Sequence, residues 1–337
     1  MKISVVSPAN IAFIKYWGRK NEKLFIPRNN NISMTMDGCL TTATVQTNPD
    51  LKEDVIEVKY YGEEYKKLES NSIKQKNLFD QVARIRKDAG KKEKVFIRSE
   101  NNFPSDAGIA ASASSFSALT AALLIAYGLE EKFLDKKELS RQIRFCGSGS
   151  AVRSAYGGFV EFKTGKSHKE SYAEQIADEN HWKLVDIVAV VDPEKKHTSS
   201  SRGHLLTKTC PYYETRIKEM QRRIKWTKDA IIKKDFEKLG YCIEQDSTSM
   251  HAVMMTSDPP IYYWNGGTMK IMQEILFARQ NGLQCYFTID AGPNVHVICE
   301  EKNIKRVQKL LHDISEVQFT IVNRPCLGVR TSNKHLF

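Results

Sequence analysis

The chain of 337 residues contains no long apolar run. The longest, residues 118–129 (ALTAALLIAYGL), falls well short of the roughly 20 residues that span a bilayer, so it predicts a buried helix. The N-terminus, MKISVVSPAN, lacks the charged and apolar regions of a secretory signal. These two absences predict a cytoplasmic protein without a membrane partner.

Metal-binding and disulfide motifs are also missing. The seven cysteines are scattered without a C-x-x-C pair, and the eight histidines include no H-E-x-x-H motif. This usage predicts reduced thiols, and it argues against a zinc site, a disulfide framework or a built-in metal centre. The sequence contains no internal repeat, which excludes a repeat protein.

Positive charge, in contrast, is abundant: 51 basic and 40 acidic residues give a net charge of +11. A basic chain suits nucleic acid, a membrane surface or small polyanions as partners. The Lys and Arg residues are spread widely, many of them on amphipathic helix patterns, which favours ordinary solvated faces. A non-catalytic nucleic-acid binder stays open as an alternative, with charge as its only support.

Hydrophobic periodicity predicts strands and helices in irregular alternation, which favours an α+β fold over regular βαβ winding. At this length we expect two domains, residues 1–190 and residues 191–337. Asp135 with Glu138 has the pattern of a capping box, and Asn303 precedes an amphipathic segment as a cap. Helices are predicted around residues 78–90, 116–127, 213–231 and 304–314, and strands around 95–99 and 184–191.

Four segments are suited to binding anions. Residues 104–115 and 147–154 are rich in Gly and Ser, and small loops that lead into helices offer free backbone N–H groups to phosphates. The first of these matches neither the P-loop nor the Rossmann motif. Residues 195–203 combine hydroxyls with cations, and residues 7–20 place Lys15 between an apolar run and two aromatics. Each segment alone is compatible with packing or a surface turn, but together they predict a site for a nucleotide and a phosphorylated substrate.

The segment FTIDAGPNVHVI, residues 287–298, predicts two apolar strands joined by a tight turn. Asp290 follows the first apolar run, and Gly292 and Pro293 come directly after it. A carboxylate at that position is either a turn-former or a catalyst. The pattern by itself leaves both interpretations open.

Seven motifs occur in order between about residue 7 and about residue 300: NIAFIKYWGRK, IPRNNNISMTMD, NNFPSDAGIAASAS, GSGSAVRSAYGGFVEF, the serine cluster at 195–204, MHAVMMTSDPPIYYW and FTIDAGPNVHV. Their order resembles that of the mevalonate diphosphate decarboxylases, members of the GHMP kinase superfamily. The resemblance implies a GHMP-kinase fold, with an N-terminal ribosomal-protein-S5-like domain, a C-terminal ferredoxin-like domain and the active site in the cleft between them. It implies ATP-dependent conversion of mevalonate 5-diphosphate to isopentenyl diphosphate, CO2, ADP and phosphate, with Mg²⁺ accompanying ATP, and a homodimer.

The resemblance implies a role for each matching residue. Asp290 matches the aspartate that orients or deprotonates the substrate 3-hydroxyl, Arg153 the arginine that holds the carboxylate, and Lys15 the lysine beside the transferring phosphate. The implied substrate-binding residues are Tyr16, Arg19, Ser148, Ser150, Ser200 and Arg202. The implied ATP-phosphate loop comprises Pro104, Gly108, Ala110, Ala111, Ser112 and Ser114, with Ser112 as the candidate Mg²⁺ contact.

Several positions depart from the family pattern. Ala111 stands where a first serine is usual, Asp106 where a small apolar residue is usual, and Arg19 in place of a lysine. The order Ser201-Arg202 also differs, near the expected position of the substrate diphosphate. These changes leave open a sibling enzyme that acts on mevalonate 5-phosphate, or a kinase that phosphorylates the 3-hydroxyl and stops. The three matched catalytic residues favour full decarboxylation.

Overall fold

The computed structural model describes residues 1–70, 72, 75–104, 109, 111–193 and 198–337. Within them the chain forms an eight-stranded sheet, a four-stranded sheet and a two-stranded ribbon. Helices pack against both large sheets, so the predicted α+β class is confirmed.

The strands follow one another along the chain with helices between them. They are β1 (Lys2–Ile14), β2 (Arg19–Asn21), β3 (Ile26–Pro27), β4 (Asn31–Asn48), β5 (Val55–Lys59), β6 (Lys66–Lys67), β7 (Lys94–Asn101), β8 (Phe159–Phe162), β9 (Ala173–Ala177), β10 (Leu184–Val190), β11 (Cys285–Thr288), β12 (Val295–Glu300), β13 (Phe319–Asn323) and β14 (Arg330–Ser332). The helices are α1 (Lys76–Asp88), α2 (Ala111–Ala126), α3 (Glu130–Leu134), α4 (Lys136–Arg144), α5 (Gly149–Arg153), α6 (Ser200–Leu206), α7 (Tyr213–Lys233), α8 (Phe236–Met255), α9 (Gly266–Gln280) and α10 (Ile304–His312).

The eight-stranded sheet is built around the long antiparallel pair of β1 and β4. Its main path runs β14-β1-β4-β7-β5-β6, while β8 pairs with β4 and β9 with β8. The edge strand β14 comes from the far end of the chain and pairs with residues 4–6 of β1. Lys2 Nζ also donates to the carbonyl of Phe337 at 2.8 Å, so the two ends of the chain meet at this sheet.

Helix α2 is the buried helix that the apolar run predicts. It packs against β1 and β4 and ends before Gly128, whose φ of +80° suits a glycine after a helix. Because α8 also contacts β1, the second half of that strand is buried throughout. Every helix in the described part of the chain falls short of the length or the apolarity that a membrane crossing requires.

The four-stranded sheet has the order β11-β12-β10-β13 and is antiparallel throughout. Strand β10 is buried along its whole length, in agreement with the predicted strand at 184–191. The division predicted between residues 190 and 191 stays a prediction, and the position of β10 in this second sheet favours a boundary a few residues earlier.

Two predicted helix caps differ in outcome. Asp135 accepts hydrogen bonds from the N–H groups of Lys137 and Glu138, so it caps α4 as predicted. The capping box is wrong, because the Glu138 carboxylate binds Arg141 and Gln142 instead. Asn303 occupies the N-cap position of α10 as predicted, but its side chain makes no capping hydrogen bond and donates instead to the carbonyl of Gln284.

Candidate active site

A cavity of about 350 Å³ opens between the end of β1, the start of α2, the segment around α5 and the turn after β11. Residues from distant parts of the sequence therefore meet in one place. Nine of the residues expected in the site line this cavity: Lys15, Tyr16, Arg19, Ser112, Ser148, Ser150, Arg153, Ser200 and Asp290.

Lys15 and Asp290 form an ion pair in the cavity. Lys15 Nζ lies 2.6 Å from Asp290 Oδ1, and the lysine side chain is only 2% exposed. Burial lowers the pKa of Lys15, while the carboxylates of Asp290 and Asp246 oppose that shift. Burial acts to raise the pKa of Asp290, but Lys15 and other nearby cations hold it below its ordinary value. Asp290 is therefore ionised at neutral pH and able to accept a proton or a hydrogen bond from a hydroxyl.

The turn that carries Asp290 is closed and braced by α8. The carbonyl of Asp290 accepts a hydrogen bond from Gly292 N at 2.8 Å. The preceding residue, Ile289, donates its N–H to Ser247 Oγ at 2.8 Å, and its carbonyl accepts from His251 Nε2 at 3.3 Å. Since Ser247 and His251 are buried on one face of α8, the backbone before Asp290 is fixed and its side chain is aimed.

The residues after Asp290 are tied to the end of β10. Asn294 Oδ1 accepts hydrogen bonds from Val191 N at 2.8 Å and Asp192 N at 3.1 Å. Its Nδ2 donates to the carbonyl of Asp192 at 2.9 Å. The asparagine of the GPN sequence therefore holds the turn from its far side.

Arg153 is a buried cation whose guanidinium bonds to neutral groups. It ends α5 and is 1% exposed. Within the described residues, its Nε donates to Asn10 Oδ1 at 3.1 Å and its Nη1 donates to Asn31 Oδ1. Burial lowers its pKa to about 10, so the guanidinium stays charged at neutral pH. A charged group that lines a cavity and has amide partners is suited to bind a carboxylate or a phosphate.

Tyr16 and Arg19 form a second polar group in the same cavity. Arg19 Nε donates to Tyr16 Oη at 3.0 Å, while its other nitrogens bind Glu22 Oε2 at 3.0 Å and the carbonyl of Gly147 at 2.9 Å. Burial raises the pKa of Tyr16, so its hydroxyl is protonated. Because that hydroxyl already accepts from Arg19, its own proton is the one it can donate to a ligand.

Serine hydroxyls complete the polar lining. Ser148 Oγ lies 3.0 Å from Ser150 Oγ and 3.3 Å from Ser112 Oγ. Ser112 is in the first turn of α2, a sixteen-residue helix whose N-terminal dipole favours an anion. The cavity thus combines three cations (Lys15, Arg19 and Arg153), several hydroxyl donors and a helix N-terminus, which together suit a ligand with phosphate groups.

Comparison with known proteins identifies the family. Residues 7–173 match the family described as diphosphomevalonate decarboxylase-like N-terminal domain, and residues 186–326 match the mevalonate 5-diphosphate decarboxylase C-terminal domain. The chain belongs to the mevalonate diphosphate decarboxylase family. The predicted family is thereby confirmed.

Individual relatives agree with this assignment. The diphosphomevalonate decarboxylase of Ganoderma lucidum is 34% identical over 90% of this chain and 80% of its own length. The human diphosphomevalonate decarboxylase is 33% identical over 87% of this chain and 75% of its own. The solved structure of the Staphylococcus aureus mevalonate diphosphate decarboxylase has a TM-score of 0.89, 34% identity and 98% coverage of both chains. A structure described as MDDEF in complex with MVAPP, AMPPCP and magnesium has a TM-score of 0.88 at 32% identity, and the match covers 99% of this chain and all of that one. These likenesses confirm the predicted GHMP-kinase fold.

Three residues of the expected phosphate loop lie outside the cavity lining. Ser114 is buried within α2, where its hydroxyl lies 2.6 Å from Thr41 Oγ1. Pro104 is buried, and Ala111 packs half-buried against the core. The ATP-phosphate roles of these three residues stay predictions. Because α2 begins at Ala111, the residues that follow it alternate between the core and the cavity.

The remaining expected residues are Arg202, in the first turn of α6, and two glycine-loop positions. Arg202 is exposed and does not line the cavity, although the family pattern implies contact with the substrate. Gly108 and Ala110 lie outside the described residues, as does Asp106.

Two aromatic rings that the sequence did not identify as functional also line the cavity, Trp17 and His204. The His204 ring centroid lies 4.7 Å from that of Trp17 and 4.5 Å from that of Tyr16. Gly18 N donates to His204 Nδ1 at 3.0 Å, which leaves the proton of the neutral ring on Nε2. The KYWG sequence marks Trp17, but a lone histidine 186 residues away gives no sequence signal for this contact.

The described residues contain no group of three or more His, Cys, Asp or Glu side chains arranged to hold a metal ion. The cavity does offer hydroxyls such as that of Ser112 beside a helix N-terminus. This donor set fits Mg²⁺ bound together with nucleotide phosphates, because Mg²⁺ retains water and phosphate oxygens as most of its ligands.

Proposed function

We propose that the chain catalyses the ATP-dependent decarboxylation of mevalonate 5-diphosphate to isopentenyl diphosphate, with release of CO2, ADP and phosphate. The observation that carries this proposal is the Lys15–Asp290 pair, which lines the same cavity as the buried Arg153. The carboxylate is suited to a hydroxyl and the guanidinium to a carboxylate, and the reacting end of that substrate carries both groups. Family membership over most of the chain supports the same reaction.

In the first step the substrate 3-hydroxyl attacks the γ-phosphorus of ATP, and the bond between that phosphorus and the leaving ADP oxygen breaks. Asp290 orients the hydroxyl and accepts its proton, which it can do because the carboxylate is ionised. Lys15, beside it, offsets negative charge on the transferring phosphoryl group. The pair is held by bonds to α8 and the turn, so little reorganisation is needed.

In the second step the C1–C2 bond breaks and CO2 departs. The electron pair of that bond forms the C2–C3 double bond, and the 3-phosphate leaves with the electrons of the C3–O bond. Arg153 holds the carboxylate before this step, and its amide partners fix the orientation of the guanidinium fork. Because Asn10 and Asn31 are neutral, the positive charge of Arg153 remains available to the substrate.

The remaining residues bind the two polyphosphate groups. Tyr16, Ser148 and Ser150 donate hydroxyl protons to the substrate phosphates, and Arg19 holds the tyrosine in place. The N-terminus of α2 with Ser112 receives the phosphates of ATP. Mg²⁺, when bound with ATP, supplies charge neutralisation at the transferring phosphoryl group, and Ser112 is the residue that would contact it.

The deciding experiment measures ADP and CO2 release in parallel with mevalonate, its 5-phosphate and its 5-diphosphate, each with MgATP. We expect equal amounts of both products with the 5-diphosphate, and much less with the other two. Equal release with the 5-phosphate would identify the sibling decarboxylase, and ADP without CO2 would identify a 3-kinase. Absence of ADP release with all three substrates contradicts the proposal. Binding of DNA or RNA at about 150 mM salt, without ATP binding, would instead support the nucleic-acid alternative.

We also propose that the protein acts as a homodimer in the cytoplasm. Exposed apolar side chains on one face of α9, those of Met269, Leu276 and Phe277, support a protein partner at this helix. Light scattering during size exclusion measures the mass, and Phe277→Asp is expected to increase the monomer fraction. Leu134→Asp, which changes an equally exposed apolar residue on α3, is the control and should leave the mass unchanged.

A further inference from the structure

Asp246 is a wholly buried carboxylate that contacts Lys15 without lining the cavity. It lies in the middle of α8, and its Oδ2 accepts the backbone N–H of Lys15 at 2.6 Å. The neighbouring Ser247 and the next turn of the same helix hold the backbone of Ile289, directly before Asp290. One face of α8 therefore fixes both members of the Lys15–Asp290 pair.

A second helix fixes Asp246 in turn. Arg216 on α7 is 3% exposed, and its Nη1 lies 3.0 Å from Asp246 Oδ1 while its Nη2 donates to Oδ2 at 3.2 Å. Its Nη1 also donates to the backbone carbonyl of Asp246 at 3.1 Å. Arg223 lies two helical turns further along α7, and its Nη1 is 3.6 Å from Asp246 Oδ1. A carboxylate so firmly held is a rigid reference point for the backbone of Lys15.

We propose that Asp246 is a positioning residue of the reaction, which fixes the backbone of Lys15 and places a buried negative charge next to that residue. This inference rests on the proposed function, since it assigns Asp246 to the phosphoryl-transfer step through Lys15. Asp246 touches no reacting atom, so its effect reaches the substrate through Lys15.

The charges around Lys15 determine the sign of the effect. Asp290 and Asp246 favour the charged lysine, whereas burial and Arg153 disfavour it. Burial keeps the nearby His251 neutral by lowering its pKa to about 3, and Arg216 and Arg223 face Asp246 from α7. Replacing Asp246 by Asn removes the negative charge that pairs with Arg216 and Arg223. The pKa of Lys15 then falls further, so activity that needs the charged lysine is lost at a lower pH.

The test compares pH profiles of turnover for Asp246→Asn, Glu244→Gln and the unsubstituted protein. Glu244 is a matched control, because it lies on the same helix, pairs with Arg279 at 2.9 Å and accepts the backbone N–H of Phe287 at 3.1 Å. For Asp246→Asn we expect turnover at neutral pH to fall at least about tenfold. We also expect the alkaline limb to move down by about half a pH unit or more. For Glu244→Gln we expect lower thermal stability with an unmoved alkaline limb.

If Asp246→Asn and Glu244→Gln gave the same pH profile of turnover, the proposal would be overturned, because a purely structural role affects both variants in the same way. If Asp246→Asn does not fold, Asp246→Glu decides: it keeps the charge and displaces the contact with Lys15 N. Lower turnover with an unmoved alkaline limb then supports the proposal, and unchanged turnover overturns it. An unsubstituted protein that releases no ADP would contradict the proposed function itself, which separates the two failures.

Discussion

Asp290 is surrounded by groups that favour its ionised form and by groups that hold its backbone. The ammonium of Lys15 keeps the pKa of the carboxyl low, and the bonds of Ile289 and Gly292 fix the turn on either side. A turn-former needs only the backbone contacts. The cation and the cavity are what a catalyst needs in addition.

The first prediction separates those two roles. Asp290→Asn keeps the size of the side chain and suits the turn equally well, but it removes the proton acceptor. We expect a folded protein with ATP and substrate affinities within several-fold of the original, and turnover reduced by at least ~10³. Turnover, binding titrations and the melting temperature of the purified variant check this. Retention of a tenth of the original turnover would make Asp290 a structural residue.

The second prediction concerns Arg153. Arg153→Lys keeps a positive charge but loses the planar fork that the two asparagines orient, so turnover should fall by at least about tenfold with little change in ATP affinity. Arg144→Lys is a matched control, because Arg144 is equally buried and also bonds to neutral groups, but it does not line the cavity. We expect it to lower the melting temperature and to leave turnover per folded molecule unchanged. Equal kinetic losses in the two variants would remove Arg153 from the mechanism.

At the scale of single elements, α5 shows how closely the cavity wall is packed. A Cβ atom at Gly149, the first residue of α5, would lie 2.6 Å from the ring carbons Cδ1 and Cε1 of Tyr16. The glycine thus allows the helix and the tyrosine ring to approach each other, and its backbone conformation is open to other residues.

The third prediction follows from this contact. Gly149→Ala should displace the Tyr16 ring, lower kcat/KM at least about tenfold and destabilise the fold by about 1–3 kcal/mol, as overpacking does. The control is Gly266→Ala at the start of α9, where an added Cβ meets no atom within 4 Å. That change should leave kinetics unaltered. Steady-state kinetics and chemical denaturation of both variants provide the comparison, and unaltered kinetics for Gly149→Ala would contradict it.

The helix ends indicate which local features a sequence can predict. Asp135 caps α4 because the N–H groups that it binds lie two and three residues ahead, so the whole interaction is local. The Glu138 carboxylate binds Arg141, and the side chain of Asn303 donates to the carbonyl of Gln284, in the connection between α9 and β11. Where partners from other turns compete for a side chain, the local pattern no longer decides the outcome.

The same distinction applies to the candidate site. Lys15, Arg153 and Asp290 stand in motifs specific enough to be found in the sequence, and the structure brings all three to one cavity. Asp246 gave no such signal, since an acid within an amphipathic helix is ordinarily on the solvated face. Its importance depends on Arg216 and on the backbone of Lys15, both of which are distant in sequence.

At the scale of the whole molecule, sequence patterns did not reveal which strands belong to which of the two sheets. Strand β14 follows all of the second sheet and yet pairs with β1 of the first. Antiparallel pairing between the two ends of a chain depends on contacts of high sequence separation, for which local periodicity contains no information. Removal of the last residues would therefore affect the first sheet rather than the second.

The proximity of the two ends of the chain has a further consequence. The termini can be joined, and the chain can be opened at another position. Lys2 Nζ donates to the carbonyl of Phe337, and Ser4 Oγ lies 2.7 Å from His335 Nδ1. A short Gly/Ser linker can thus join the original termini, and new ones can be opened at Gly62, in the exposed connection between β5 and β6. We expect this circular permutant to fold and to keep turnover within a few-fold, as measured by kinetics and thermal melting. A permutant opened at Gly147, beside the cavity, should fold less stably and lose activity, and equal activity of the two would contradict the expected difference.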